Sequence, residues 1–171
     1  MITIRTENSK DYEKVFEIHS RAFNRLKEAE LVKRIRLSEG FLPELSLVAL
    51  YNNELAGHIL FSVILVENDK DKYEALALSS LAVLPELQNL GIGSELIRQG
   101  LERCRQKGFL FVVVLGLPDF YPRFGFQTAR FNGIHPPFPV PDEVFMVNPL
   151  KEGILDNISG VVRYSSAFSK I

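Results

Sequence analysis

The segment that most constrains this chain runs Ser79-Ser80-Leu81-Ala82-Val83-Leu84-Pro85-Glu86-Leu87-Gln88-Asn89-Leu90-Gly91-Ile92-Gly93-Ser94-Glu95-Leu96. Residues 73–83 read as a strand that Pro85 stops, because proline has no amide proton to give a sheet. Two glycines follow. Ile92, Leu96, Ile97, Gly100, Leu101 and Cys104 then recur on one face of a helix over residues 92–107, and Gly108 is placed to end it. Residues 109–115 are an almost continuous apolar run, as expected of a strand covered on both faces. The unit is strand, glycine loop, helix, strand.

Glycines at a helix start let a ligand approach the backbone. The first amides of a helix have no internal partner, and together with the positive end of the helix dipole they suit phosphate groups. A Walker loop is excluded, because no Gly-Lys pair is present. A dinucleotide fingerprint wants a third small residue where Leu96 stands and an acid at the end of the next strand, which here reads Leu115-Gly116-Leu117-Pro118. Spacing alone leaves open a glycine-assisted turn without a ligand.

The rest of the chain reads as one α+β domain over residues 1–171, with a mixed, largely antiparallel sheet. Residues 2–5 form a first strand, and Asn8 or Ser9 caps the helix that follows. Val15, Phe16, His19, Ala22 and Phe23 give that helix its buried stripe, and Leu31, Val32 and Ile35 mark a second, shorter helix. Strands over residues 45–51 and 55–66 are joined by Asn52-Asn53, since asparagine tolerates left-handed backbone angles. Residues 67–72 are a polar loop. A short helical turn starts at Pro118-Asp119 and ends at Gly125, residues 135–141 form a proline-rich loop, and residues 145–150 and 160–164 are late strands.

Composition narrows the classes further. A net charge of −1 and the lack of a basic block give no field for nucleic acid. The apolar runs fall far short of the roughly 20 residues of a membrane span, and the first residues do not read as a secretory signal. The single Cys104 fits a reducing, cytoplasmic compartment. It continues the helix stripe and lacks an activating partner, so it reads as core. His19, His58 and His135 are widely scattered in sequence, form no metal-ligand spacing, and read as structural or surface residues. No metal is expected.

Gln88-Asn89-Leu90-Gly91-Ile92-Gly93 resembles the Q/R-x-x-G-x-G/A pyrophosphate loop of the GNAT superfamily of N-acetyltransferases. Leu81-Ala82-Val83 fits that family's cofactor-pairing strand, and Tyr121-Pro122-Arg123-Phe124-Gly125-Phe126 its later Tyr-x-x-x-Gly-Phe element. The likeness is closer still to the bacterial YhbS-like branch. It takes in Glu28-Ala29-Glu30-Leu31-Val32, the stretch from Leu115 to Phe126, and Gly160-Val161-Val162-Arg163-Tyr164, and so spans nearly the whole chain.

The resemblance implies a GNAT-like sheet with two splayed parallel central strands, flanked by helices, and acetyl-CoA as acyl donor. Backbone groups of Leu81, Ala82 and Val83 would hold the pantetheine arm. The amides of Gln88, Asn89, Leu90, Gly91, Ile92, Gly93 and Ser94 would hold the pyrophosphate. Tyr121 falls at the family's usual position for protonating or hydrogen-bonding the leaving thiolate, its other reading being an aromatic packed among Phe120, Phe124 and Phe126, and an amine would attack directly in a ternary complex. Many relatives use a carboxylate base on the first splayed strand, where this chain has Ser79 and Ser80. Asp119 and a water relay stay open as alternatives, and no base is assigned. A second reading is an acyl-CoA-binding or regulatory module without turnover. The acceptor, a small-molecule or protein amine, is not legible, and the oligomeric state, a homodimer included, is open.

Overall fold

The computed structural model describes residues 1–170. Its frame is a hairpin of β2 (Phe41–Tyr51) and β3 (Glu54–Glu67), turned by Asn52 and Asn53 at φ 51° and 69°. β1 (Ile2–Thr6) pairs antiparallel with β2, and Glu7 prolongs that ladder by donating its amide to Ser46 O at 2.9 Å. β4 (Lys72–Val83) runs antiparallel to β3 along nearly its whole length. β5 (Phe111–Leu115) is parallel to β4 but pairs with it only at Leu76–Val112 and Ala77–Val113. Beyond those two pairs the strands part. This is the splayed pair implied above.

The other edge of β5 is taken by β8 (Phe145–Pro149), and β6 (Gln127–Thr128) extends the sheet beyond β8. The two-residue β7 (Ile134–His135) pairs with β9 (Gly160–Arg163), which returns to the far end of β3. Sequence reasoning placed His135 in a loop and had no strand at Gln127. Pieces of two residues carry no period to read.

Among the described residues, three α-helices cover the sheet. α3 (Ile92–Gln106) packs its six predicted stripe residues on Leu47, Ala49, Ile59 and Phe61. α1 (Tyr12–Phe23) and α2 (Lys27–Arg36) cover the opposite face through Val15, Ile18, Leu31, Val32 and Ile35, against Val48, Leu60 and Ala82. Each such aliphatic side chain stabilises the fold by about 1.5–3 kcal/mol when fully buried. Asn8 caps the turn that leads into α1, accepting from the Lys10 amide while the Asp11 carboxylate accepts from the amide of Asn8.

One irregularity in β4 sets the site. Leu60 pairs with Ser80 and Phe61 with Leu78, so Ser79 is an extra, bulged residue. The bulge inverts the alternation of the strand. Before it, Leu76 and Leu78 join the α3 side of the core; after it, Leu81 and Val83 do. Ser80 therefore turns towards α1, where a regular strand would aim it at α3.

Candidate active site

The gap between β4 and β5 opens into two cavities. The first, about 590 Å³, is bounded by the end of β4 at Leu81, Ala82 and Val83 and by the loop and helix start at Gln88, Asn89, Gly91, Ile92, Gly93 and Ser94. Gly91 caps α3 at φ 88°, a left-handed angle that favours glycine. Asn89 takes a similar angle, φ 67°. Among the described residues, no backbone acceptor meets the amides from Asn89 to Ser94. Gln88 donates its side-chain amide to Val83 O at 3.1 Å, tying the loop to the strand it leaves. Of the ten residues expected around the cofactor, nine line this cavity. Leu90 does not, and its side chain is half exposed.

Arg123 completes the rim. Its guanidinium stacks on Phe120 and Phe124, 4.7 and 5.7 Å from the ring centroids, and it faces no carboxylate among the described ion pairs. Sequence reasoning quoted Arg123 as part of a motif without giving it a role. An arginine inside an aromatic motif is the signal that was available.

The second cavity, about 780 Å³, lies deeper between the strands. It shares Leu81, Leu117 and Phe120 with the first, so the two adjoin. Ser79 and Ser80 line it from β4, Tyr121 from the turn after β5, and Glu28 from α2. Phe138, from the proline-rich loop, stacks on Tyr164, and Tyr164 meets Phe168 at 4.7 Å, giving the cavity an aromatic wall.

Tyr121 is 8% exposed, its ring held edge-on between Phe120 and Phe126. Its hydroxyl meets no protein hydrogen-bond partner among the described residues. Burial pushes its pKa up to about 12, so the phenol keeps its proton at neutral pH. Cys104 is fully buried in the α3 core, and burial likewise pushes its thiol up to about 12.

The histidines behave differently from their spacing in sequence. His19 of α1 and His58 of β3, 39 positions apart, meet through His19 Nε2 and His58 Nδ1 at 2.8 Å, both fully buried. Ser80 Oγ reaches His19 Nδ1 at 3.0 Å, and Ser46 Oγ lies 2.8 Å from both His58 Nε2 and Glu7 Oε1. Arg36 grips Glu7 at 2.5 and 3.2 Å. Among the described residues, no three His, Cys, Asp or Glu side chains gather as a metal site.

These features are those of an acyltransferase of the GNAT type: two parallel strands parting beside a glycine-capped helix, with a buried phenol across the gap. The acetyltransferase (GNAT) family model matches residues 12–126, and the chain belongs to that family. An uncharacterized N-acetyltransferase of Escherichia coli K12, YjhQ, is 39% identical over 142 residues, covering 82% of this chain and 78% of its own. The crystal structure of E. coli YhbS in complex with CoA superposes with a TM-score of 0.90 at 27% identity, covering 98% of this chain and 92% of that one. A GNAT acetyltransferase from Brucella melitensis in complex with acetyl-CoA gives 0.77 at 29% identity, covering 98% of each chain.

Proposed function

We propose that residues 1–171 form one N-acetyltransferase domain that moves the acetyl group of acetyl-CoA to an amine by direct attack in a ternary complex. The observation that carries this reading is the pair of adjoining cavities along the β4–β5 gap, with amides free of backbone partners in one and Tyr121 in the other. The amides from Asn89 to Ser94 hold the pyrophosphate, that of Gln88, also expected there, being given instead to Pro85 O at 3.4 Å, and Arg123 adds the cation that a phosphate wants. The backbone of Leu81, Ala82 and Val83, released from β5 by the splay, pairs with the amides of the pantetheine arm. On this reading, CoA held in this way carries its thioester to the entrance of the second cavity. The acceptor amine enters that cavity from the side of the aromatic wall. Tyr121 gives its proton to the thiolate as the thioester breaks.

A covalent acetyl-cysteine route finds no support, because Cys104 is fully buried in the core and its thiol is held protonated. The second reading, binding without turnover, draws on one observation: the β4 residues that line the cleft, Ser79 and Ser80, are not carboxylates. Thiol release from acetyl-CoA across a panel of amines separates the two readings. Turnover with intersecting initial-velocity lines supports direct transfer. Acetyl-CoA binding without release of thiol from any amine supports the binding module, and parallel lines would defeat the ternary complex.

A further inference from the structure

An ammonium that becomes an amide loses two protons. One leaves on the thiol, and the other must leave the cleft, yet no carboxylate of β4 stands there to take it, and Glu28, which lines the second cavity from α2, is ion-paired with Arg25. We propose that the buried chain Ser80–His19–His58–Ser46–Glu7 is the proton acceptor of the reaction, receiving the amine's proton at Ser80 and holding it on Glu7. This rests on the acetyltransferase reading and supplies the base that reading lacks.

The hydrogen bonds fix the direction. Glu7 is paired with Arg36, and a carboxylate only accepts, so Ser46 donates to it at 2.8 Å. Ser46 Oγ then accepts from His58, which places that ring's proton on Nε2 and leaves Nδ1 bare. His58 Nδ1 accepts from His19 Nε2–H, which leaves His19 Nδ1 to accept from the Ser80 hydroxyl. One carboxylate thus sets two tautomers and two hydroxyl rotors, and every donor points from the cleft towards Glu7.

The cleft end of the chain is Ser80, which is 6% exposed and lines the second cavity, while both histidines are fully buried. The β4 bulge is what turns Ser80 to that side. Burial first, then the positive Arg36, holds His19 down to about 3, with Glu28 opposing weakly. Burial, His19 and Arg36 hold His58 well below its ordinary value, with Glu7 3.4 Å from its Nε2. Neutral rings of this kind pass a proton by exchanging tautomers and do not store charge.

The step balances. The N–H bond of the ammonium breaks as a bond to Ser80 Oγ forms. Ser80 passes its own proton to His19 Nδ1, and His19 passes that on Nε2 to His58 Nδ1. His58 gives its Nε2 proton to Ser46, and Ser46 gives its own to Glu7. The products are a neutral amine and a protonated Glu7. When the cleft empties, the same path in reverse returns the proton to water and restores the starting tautomers.

Ser80→Val and Ser80→Thr test this, since they are near-isosteric and differ in the hydroxyl, and the methyls of valine deny its place to water. With an amine that supports thiol release, we expect Ser80→Thr to stay within a few-fold of wild type. Ser80→Val should lose roughly ten- to a hundred-fold in kcat, with KM for acetyl-CoA unchanged and a deficit that shrinks as rising pH deprotonates the amine in solution. His19→Gln should match Ser80→Val. Nitrogen-15 NMR of the histidines in the full chain should show Nε2–H tautomers for both His19 and His58. A wild-type rate in Ser80→Val, equal losses in valine and threonine variants at every pH, or an Nδ1–H tautomer in either ring would overturn the relay. Wild-type protein that releases no thiol with any amine would instead defeat the acetyltransferase reading.

Discussion

Gly116 and Tyr121 occupy one space: a Cβ built on Gly116 would lie 2.6 Å from Tyr121 Cε2 and 3.3 Å from its Cδ2. The phenol reaches the cleft because the chain leaving β5 has no side chain at that point. Phe120 and Phe126 close on the ring from its edges, so it has little room to retreat. Gly116→Ala should therefore displace the hydroxyl and lower kcat, roughly tenfold, the small end of a lost acid–base contribution. Acetyl-CoA affinity should stay within about twofold, because the amide-lined cavity lies elsewhere, and overpacking should cost about 1–3 kcal/mol of stability. Steady-state rates, calorimetric titration and a denaturant melt check the three parts. An unchanged kcat would show that the ring moves freely.

Tyr121→Phe is the complementary change, removing the oxygen and keeping the ring. A proton given to the thiolate acts chiefly in the transition state, so turnover should fall roughly ten- to a hundred-fold with acetyl-CoA binding nearly constant. The Tyr121 hydroxyl meets no protein partner among the described residues, so the phenylalanine variant should melt no earlier than wild type. Because burial lifts the phenol to about 12, ionisation of Tyr121 should contribute nothing to the rate profile below pH 10. A fully active variant would reduce Tyr121 to packing.

What could be read beforehand follows from what leaves a local pattern. The α3 stripe from Ile92 to Cys104 was legible because a helix repeats every 3.6 residues, and all six of its residues are buried. The stripe of α1 was legible less well. Ile18, fully buried, lies outside the stripe read from the sequence, while Phe23, inside it, is 38% exposed at the rim of the second cavity. A cavity removes the neighbour that would cover such a residue, and periodicity has no sign for a cavity. The His19–His58 contact was invisible for a related reason. Each ring reads as a lone polar residue among apolar ones, and only the docking of α1 on β3 brings them together. Ser80 gave no signal either, because the bulge that re-aims it is a matter of register with β3.

Gly93 offers a probe of the cofactor site that spares the fold. A Cβ there would meet nothing nearer than Val83 Cγ2 at 3.8 Å, an ordinary contact, and its backbone is not in the left-handed region. A leucine side chain at that position would occupy the first cavity, where the pyrophosphate belongs. Gly93→Leu should weaken acetyl-CoA binding at least tenfold. Without ligand it should be as stable as wild type or better by up to about 1 kcal/mol, since glycine is a poor helix former. Gly91→Leu differs, because at φ 88° any side chain strains the backbone. Titration calorimetry beside ligand-free melting curves separates the two, and unaltered affinity in Gly93→Leu would move the pyrophosphate elsewhere.

The two buried histidines also fix how stability responds to acid. Both are held neutral in the fold, His19 down to about 3 and His58 well below its ordinary value, while in the unfolded chain each titrates near 6.5. Below about pH 6.5 the unfolded chain binds protons that the folded chain refuses, so stability must fall as pH falls. Each histidine contributes a slope of about 1.4 kcal/mol per pH unit once the pH is well below 6.5. Between pH 6.5 and 5 the carboxylates held low by cationic partners, Asp11, Glu17 and Glu44, still carry their charge, so that window belongs to the histidines. Moving from pH 7 to pH 5 should therefore cost about 2–4 kcal/mol in chemical denaturation. His19→Gln cannot titrate, so it should flatten the slope by about half, and because it leaves the chain incompletely paired it should also lower stability at pH 7. Equal slopes in the two proteins between pH 6.5 and 5 would mean that His19 accepts a proton in the folded state, and the neutral pair would be wrong.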